Sequence, residues 1–124
     1  YNCFGQYITT VAGSDPLTEG PHELLVRYDH DGGFGAGGEV TLSVDGVIVD
    51  SARIERTVPI VFSMSGETFD VGVDTGAPVG DYPHGFAFTG GQVVDVTLER
   101  LVDPDPATRR AMRDGETQAA LRSQ

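Results

Sequence analysis

The chain has 124 residues, 39% of them apolar, no Trp and a formal net charge of −11. That length suits one domain better than two. Its eight basic residues are all Arg against 19 carboxylates, so phosphate-rich partners such as nucleic acid or anionic lipid would be repelled.

In chain order, Tyr1 to Val11 reads as a strand, rich in aromatic and β-branched residues and poor in charge. Turns follow at Gly13-Ser14-Asp15-Pro16 and Glu19-Gly20-Pro21. His22 to Tyr28 is expected as a strand with Leu24, Val26 and Tyr28 on one face, and Asp29 to Gly38 as a glycine-rich loop. Val40, Leu42 and Val44 then alternate with Glu39, Thr41, Ser43 and Asp45, the period of two of a half-buried strand. Asp45-Gly46 is the strongest hairpin signal in the chain, because a type I′ turn needs positive φ at both central residues. Val47 to Ile54 supplies the returning strand.

Thr57 to Phe62 reads as an extended segment bent at Pro59, Met64 to Thr68 as a loop and Phe69 to Val73 as a short strand. Asp74 to Gly85 is long and turn-rich. Phe86-Ala87-Phe88 is a short strand, and Gly90-Gly91 turns it into Gln92 to Leu101, where Val94, Val96 and Leu98 alternate with polar residues. The texture changes after Val102. Asp105-Pro106 is a helix start, with Asp as N-cap and Pro at the first helical position. The division is a β domain over 1–102 and a short helical tail over 103–124. No apolar run approaches the length of a membrane span, and no signal peptide is visible. A lone cysteine, Cys3, leaves the redox compartment and the localisation undetermined, and is expected to be a small buried apolar side chain.

Three constellations invite a chemical reading. Asp74-Thr75-Gly76-Ala77 matches the active-site string of retroviral-type aspartic proteases, in which carboxylates from two subunits share a proton. It sits too late in the chain, behind Gly72-Val73 rather than bulky apolar residues, so it reads first as a turn whose Asp side chain caps backbone N–H groups. Asp29, His30 and Asp31 ahead of Gly32-Gly33 offer oxygens to Ca²⁺, but too few to satisfy it from this loop alone. His22, His30 and His84 are not spaced as a zinc pair on one element, and nothing nominates a base for a Cys3 nucleophile. No catalytic, cofactor-binding or metal residue is therefore assigned.

Taken together, several segments resemble the C-terminal region of large bacterial arylsulfatases. They are Tyr1-Asn2-Cys3-Phe4-Gly5, Gly20-Pro21-His22-Glu23-Leu24, Tyr28 to Gly38, Val40 to Gly46, Arg53 to Pro59, Phe69 to Val79 and Phe88-Thr89-Gly90. The resemblance runs over nearly the whole chain. It implies an antiparallel β-sandwich, similar to concanavalin- or laminin-G-like jelly rolls, that follows a catalytic α/β domain. In that family a formylglycine made from a Cys/Ser-x-Pro/Ala-x-Arg motif works beside Ca²⁺. Here Cys3 is followed by Phe4-Gly5-Gln6, so neither catalysis nor metal carries over, and both cofactor and Ca²⁺ are expected only in the absent domain. The resemblance also implies that earlier strands of the sandwich precede this chain, which would leave strand edges and an apolar face uncovered.

The expectation is thus a non-catalytic β domain whose partner is a sulfatase catalytic domain, in the same polypeptide or lost. Asp74, Thr75, Tyr82 and His84, on the long turn-rich segment, are the candidate contacts to that domain or to a ligand. The alternative is a free-standing carbohydrate-binding jelly roll with Phe34, Tyr82 or Phe86 as stacking platform, although Trp, the usual platform residue, is missing. The aspartic protease ranks third.

Overall fold

The computed structural model describes residues 1–58 and 69–100, together with 106, 107, 110 and 114. Over these residues the protein is mainly β and every strand pairing is antiparallel. Its centre is a three-stranded meander of β3 (Leu24–His30), β4 (Ala36–Val44) and β5 (Val47–Arg56), in the order β3-β4-β5. Two short hairpins flank it in sequence, β1 (Asn2–Cys3) with β2 (Tyr7–Ile8), and β6 (Val73–Asp74) with β7 (Phe86–Ala87).

The Asp45-Gly46 turn forms as expected. Asp45 has φ 50° and Gly46 φ 80°, and Val44 pairs directly with Val47 across them. Leu24, Val26 and Tyr28 lie opposite Val44, Leu42 and Val40, and Val40 lies opposite Ala52, which gathers the apolar residues on one face. A bulge between Leu42 and Ser43 shifts the β4–β5 register near the turn.

Five expectations change. The Tyr1–Val11 strand is broken into β1 and β2, because Phe4 (φ 53°) and Gly5 (φ 70°) turn the chain back. The Asn2 carboxamide oxygen accepts from the Gly5 N–H at 2.7 Å and fixes that turn. The first strand of the meander begins at Leu24 and runs on to His30. The loop expected from Asp29 to Gly38 shrinks accordingly, because Ala36, Gly37 and Gly38 already belong to β4. The strand expected over 69–73 reduces to the pair Val73–Asp74. Residues 92–100 are exposed and form no strand, despite the alternation of Val94, Val96 and Leu98. Alternation marks a face that could be buried, and no sheet edge among the described residues takes this segment up. The 59–62 part of the expected extended segment and the 64–68 loop lie outside the described residues. The C-terminal helix falls on residues 103–124, of which only 106, 107, 110 and 114 are described, and is not shown.

The glycines that opened the expected loop are part of the sheet for steric reasons. A Cβ on Gly37 would lie 2.6 Å from the Glu55 carbonyl oxygen and closer still to that of Ile54. One on Gly38 would strike the Asp29 carbonyl oxygen and lie 2.7 Å from the Tyr28 ring. Both positions accept only hydrogen, since backbone stands in the way.

The N-terminal segment is tied along β5. The Thr9 hydroxyl donates to the Arg53 carbonyl at 3.3 Å, the Ala12 N–H to Asp50 at 2.8 Å, and the Val58 N–H to the Tyr1 hydroxyl at 2.8 Å. The Arg56 guanidinium sits 4.3 Å from the centre of the Tyr7 ring, a cation–π contact between β5 and β2. The buried apolar side chains among the described residues are Cys3, Val40 and Ile54, at 6–7% exposure. Cys3 is thus buried, as expected for a small apolar side chain. By contrast Leu24 and Val26, on the same face as Val40, stay 58% and 64% exposed. Burial is thus concentrated on β4 and at Ile54 of β5, while β3 and the first residues of β5 are open.

Candidate functional site

The turn-rich segment between β6 and β7 folds around its own carboxylates. Asp74 closes β6, and its Oδ1 accepts from the Gly76 N–H at 3.1 Å, the Asx-type turn expected for Asp74-Thr75-Gly76. The other oxygen of Asp74 accepts from the Tyr82 hydroxyl at 2.6 Å. The Tyr82 hydroxyl oxygen in turn accepts from the Val79 N–H at 3.1 Å, so the ring bridges both arms of the loop. Thr75 turns the other way. Its N–H and its hydroxyl both donate to Asp70 Oδ2 at 2.7 Å. The Phe88 N–H donates to the Gly72 carbonyl at 2.8 Å, which continues the β6–β7 ladder by one step.

Of the four candidate residues, the structure brings Asp74 and Tyr82 into direct contact and places Thr75 beside them. His84 is exposed on the same connection, outside the Asp74 hydrogen bonds. Asp70 was missed. Its only sequence signal is a carboxylate just ahead of the Val71-Gly72 turn, which says nothing about where Thr75 will lie.

The aromatic candidates divide. Tyr82 and Phe86 form a tilted pair with ring centres 5.4 Å apart, and Phe88 follows directly after β7. Phe34 belongs to the β3–β4 connection and joins neither the Tyr82–Phe86 pair nor that strand. Phe69, Phe86 and Phe88 are 67%, 52% and 52% exposed.

The acidic loop considered for Ca²⁺ is engaged otherwise. Arg27 grips Asp29 in a bidentate fork at 2.8–3.1 Å, Arg53 pairs with Asp31, and His30 Nδ1 accepts from the Gly32 N–H at 3.0 Å. Each Arg holds its Asp carboxyl below the ordinary carboxylate range, chiefly through the hydrogen bonds it donates. Among the described residues no three His, Cys, Asp or Glu side chains gather as a metal site would require.

A second cluster, unforeseen as such, anchors the hairpin turn. His22 Nδ1 lies 2.8 Å from Asp45 Oδ2, and Nε2 lies 2.9 Å from the Thr18 carbonyl oxygen. Carboxylate and carbonyl only accept, so the imidazolium form satisfies both contacts, while the Thr18 hydroxyl, 3.3 Å from Nε2, can donate to the neutral ring. The Asp45 hydrogen bond, and then that of Thr18, raise the His22 pKa. The Glu23 N–H, and then His22, lower that of Asp45.

One expected result concerns the Asp74 network. Tyr82→Phe keeps the ring but removes the hydroxyl that serves Asp74 and Val79. A loss of about 1 kcal/mol, typical of one intramolecular hydrogen bond, is expected, with faster amide hydrogen exchange confined to residues 74–88. Unchanged exchange there would show that the hydroxyl does not hold the loop.

No protein-family model, curated protein or solved structure matches the chain.

Proposed function

We propose that the chain is the non-catalytic C-terminal β domain of a sulfatase-like enzyme and packs against a catalytic domain of that enzyme. Its fold is then the jelly-roll sandwich of such tails, with the β3-β4-β5 meander as part of one layer. The observation that carries the reading is the uneven cover of the sheet. Val40 and Ile54 are buried, while the apolar residues of β3 and the phenylalanines around β7 face solvent. Large apolar groups left exposed in such number favour a covering partner. The resemblance of Tyr1 to Gly90 to arylsulfatase tails supplies the identity of the cover.

The Asp74–Tyr82 loop is the contact to the catalytic domain. It is prominent, and its conformation is set by its own hydrogen bonds, so it can present a fixed shape to a partner at low entropic cost. Asp74 uses both oxygens to hold that shape. The domain therefore contributes shape and stability, not reacting groups. The test is replacement of residues 75–84 by a short Gly/Ser linker in the intact enzyme. A marked drop in sulfatase activity or in Tm is expected, whereas an enzyme unchanged in both would sink the assignment.

A second reading rests on the Tyr82–Phe86 pair and the neighbouring Phe88. A ring pair with two exposed phenylalanines beside or within it is a stacking surface for sugar rings, which would make this a carbohydrate-binding module. Glycan binding by the isolated chain, lost on Phe86→Ala, would favour it.

A further inference from the structure

The geometry points to a twofold self-association in which β3 pairs antiparallel with β3 of a second copy, centred on Tyr28. Among the described residues β3 is an outer strand of the meander, and all seven of its residues are exposed. The hydrogen-bond alternation fixes which groups its outer edge offers. The Asp31 N–H donates to the Gly37 carbonyl and the Asp45 N–H to the Glu23 carbonyl, so the odd-numbered residues 23 to 31 bond inward to β4. In an antiparallel ladder each residue directs its N–H and C=O to the same side. Leu24, Val26, Tyr28 and His30 therefore present both groups outward, along an edge with no proline. Natural sheets seldom leave such an edge unguarded.

Charge selects the register. Even-numbered residues must pair with even-numbered ones if the outward groups are to bond. A dyad at Arg27 would satisfy this but would oppose Arg27 to Arg27, a like-charge pair that disfavours association. A dyad at Val26 would oppose Arg27 to Leu25. A dyad at Tyr28 opposes Arg27 of each copy to Asp29 of the other, twice by symmetry. These are non-hydrogen-bonded positions, where the side chains come closest. Around them Tyr28 meets Tyr28 and Val26 meets His30, as hydrogen-bonded pairs. Arg27 and Asp29 already lie on one face of β3 and contact each other at 2.8 Å, so the four charges form an alternating cluster with little rearrangement. A continuous six-stranded sheet across the two copies results.

The test uses the full 124-residue chain and measures mass by sedimentation equilibrium. The native chain is expected to dimerise. Val26→Pro removes an outward N–H and no bond to β4, so it should give a folded monomer, with retained far-ultraviolet circular dichroism as control. Arg27→Asp and Asp29→Arg each oppose like charges in their own homodimers and should each weaken association about tenfold or more. Mixed in equal amounts, the two variants should pair. The carboxylate introduced at position 27 of one would then face the guanidinium introduced at position 29 of the other. Across the dyad, the unaltered Asp29 of the first would face the unaltered Arg27 of the second. Misfolded variants could not rescue one another in this way. A native chain that stays monomeric at high-micromolar concentration overturns the inference. So does a dimer that survives Val26→Pro, or a mixture that stays monomeric. None of these outcomes bears on the proposed sulfatase link, whose test is enzymatic.

Discussion

Gly37→Ala is expected to be the most damaging single methyl group that can be added to the sheet. The new Cβ would lie 2.6 Å from the Glu55 carbonyl oxygen and closer still to that of Ile54. Those atoms are backbone of β5, so no side chain can swing aside. The ladder must open, or β4 must lift off β5. Overpacking of this kind costs about 1–3 kcal/mol where side chains can yield, and the upper end or more is expected where they cannot. Ile54, one of the few buried apolar residues described, would be displaced as well. Gly38→Ala should be nearly as harmful, because it strikes the Asp29 carbonyl and the Tyr28 ring. The denaturation midpoint in urea is the readout. A midpoint within error of the native chain for Gly37→Ala would show that β4 and β5 do not approach as described.

The second large effect is expected at the hairpin turn and depends on pH. Asp45 does three things at once. Its backbone holds φ 50°, its Oδ1 accepts from the Glu23 N–H at 2.9 Å, and its Oδ2 pairs with His22. The folded His22 pKa is raised, so its contribution is fully present below the ordinary imidazole range, about 6.5, and is lost as pH rises through the raised value. The folded Asp45 pKa is depressed, so its contribution is fully present above the ordinary carboxylate range and is lost as pH falls through the lowered value. The anchor is therefore strongest between the two, and Tm should fall on either side of that window. Asp45→Asn tolerates the left-handed backbone and still accepts from Glu23, but removes the charge facing His22. It should return the His22 titration, followed by proton NMR of the ring, toward its ordinary value and flatten the alkaline limb of the Tm profile. Asp45→Ala loses all three roles and should cost clearly more than Asn at every pH. An unchanged His22 titration in Asp45→Asn would contradict the assigned pair.

What the sequence made legible was local. Asp45-Gly46 could be recognised because positive φ at adjacent positions restricts residue choice within the turn itself. The β4 and β5 strands could be recognised because Val40, Leu42 and Val44 alternate cleanly. The Asp74 turn was legible for the same reason as the hairpin, a short side chain bonding to its own backbone two residues on. What was not legible depended on partners far along the chain. Gly37 and Gly38 read as loop because glycine usually marks flexibility, whereas here the backbones of β3 and β5 forbid any side chain. Val94, Val96 and Leu98 carry a strand's alternation, yet alternation does not supply a neighbour to pair with. The carboxylates that bind Thr75 and His22 lie five and 23 residues away, distances at which spacing alone says nothing.

The uneven sheet joins these observations to the proposed role. The N-terminal segment is tied to β5 by hydrogen bonds, whereas the residues of β3 are exposed, and that exposure is the surface the proposed role would cover.

The sequence of the coding region upstream of Tyr1 decides between a sulfatase tail and a free-standing module. For a sulfatase tail, the expected result is an open reading frame that continues in phase and encodes a Cys/Ser-x-Pro/Ala-x-Arg motif within an α/β domain. A start codon immediately before Tyr1, with no such motif in the frame, would contradict it and leave glycan binding by the Tyr82–Phe86 surface as the leading reading.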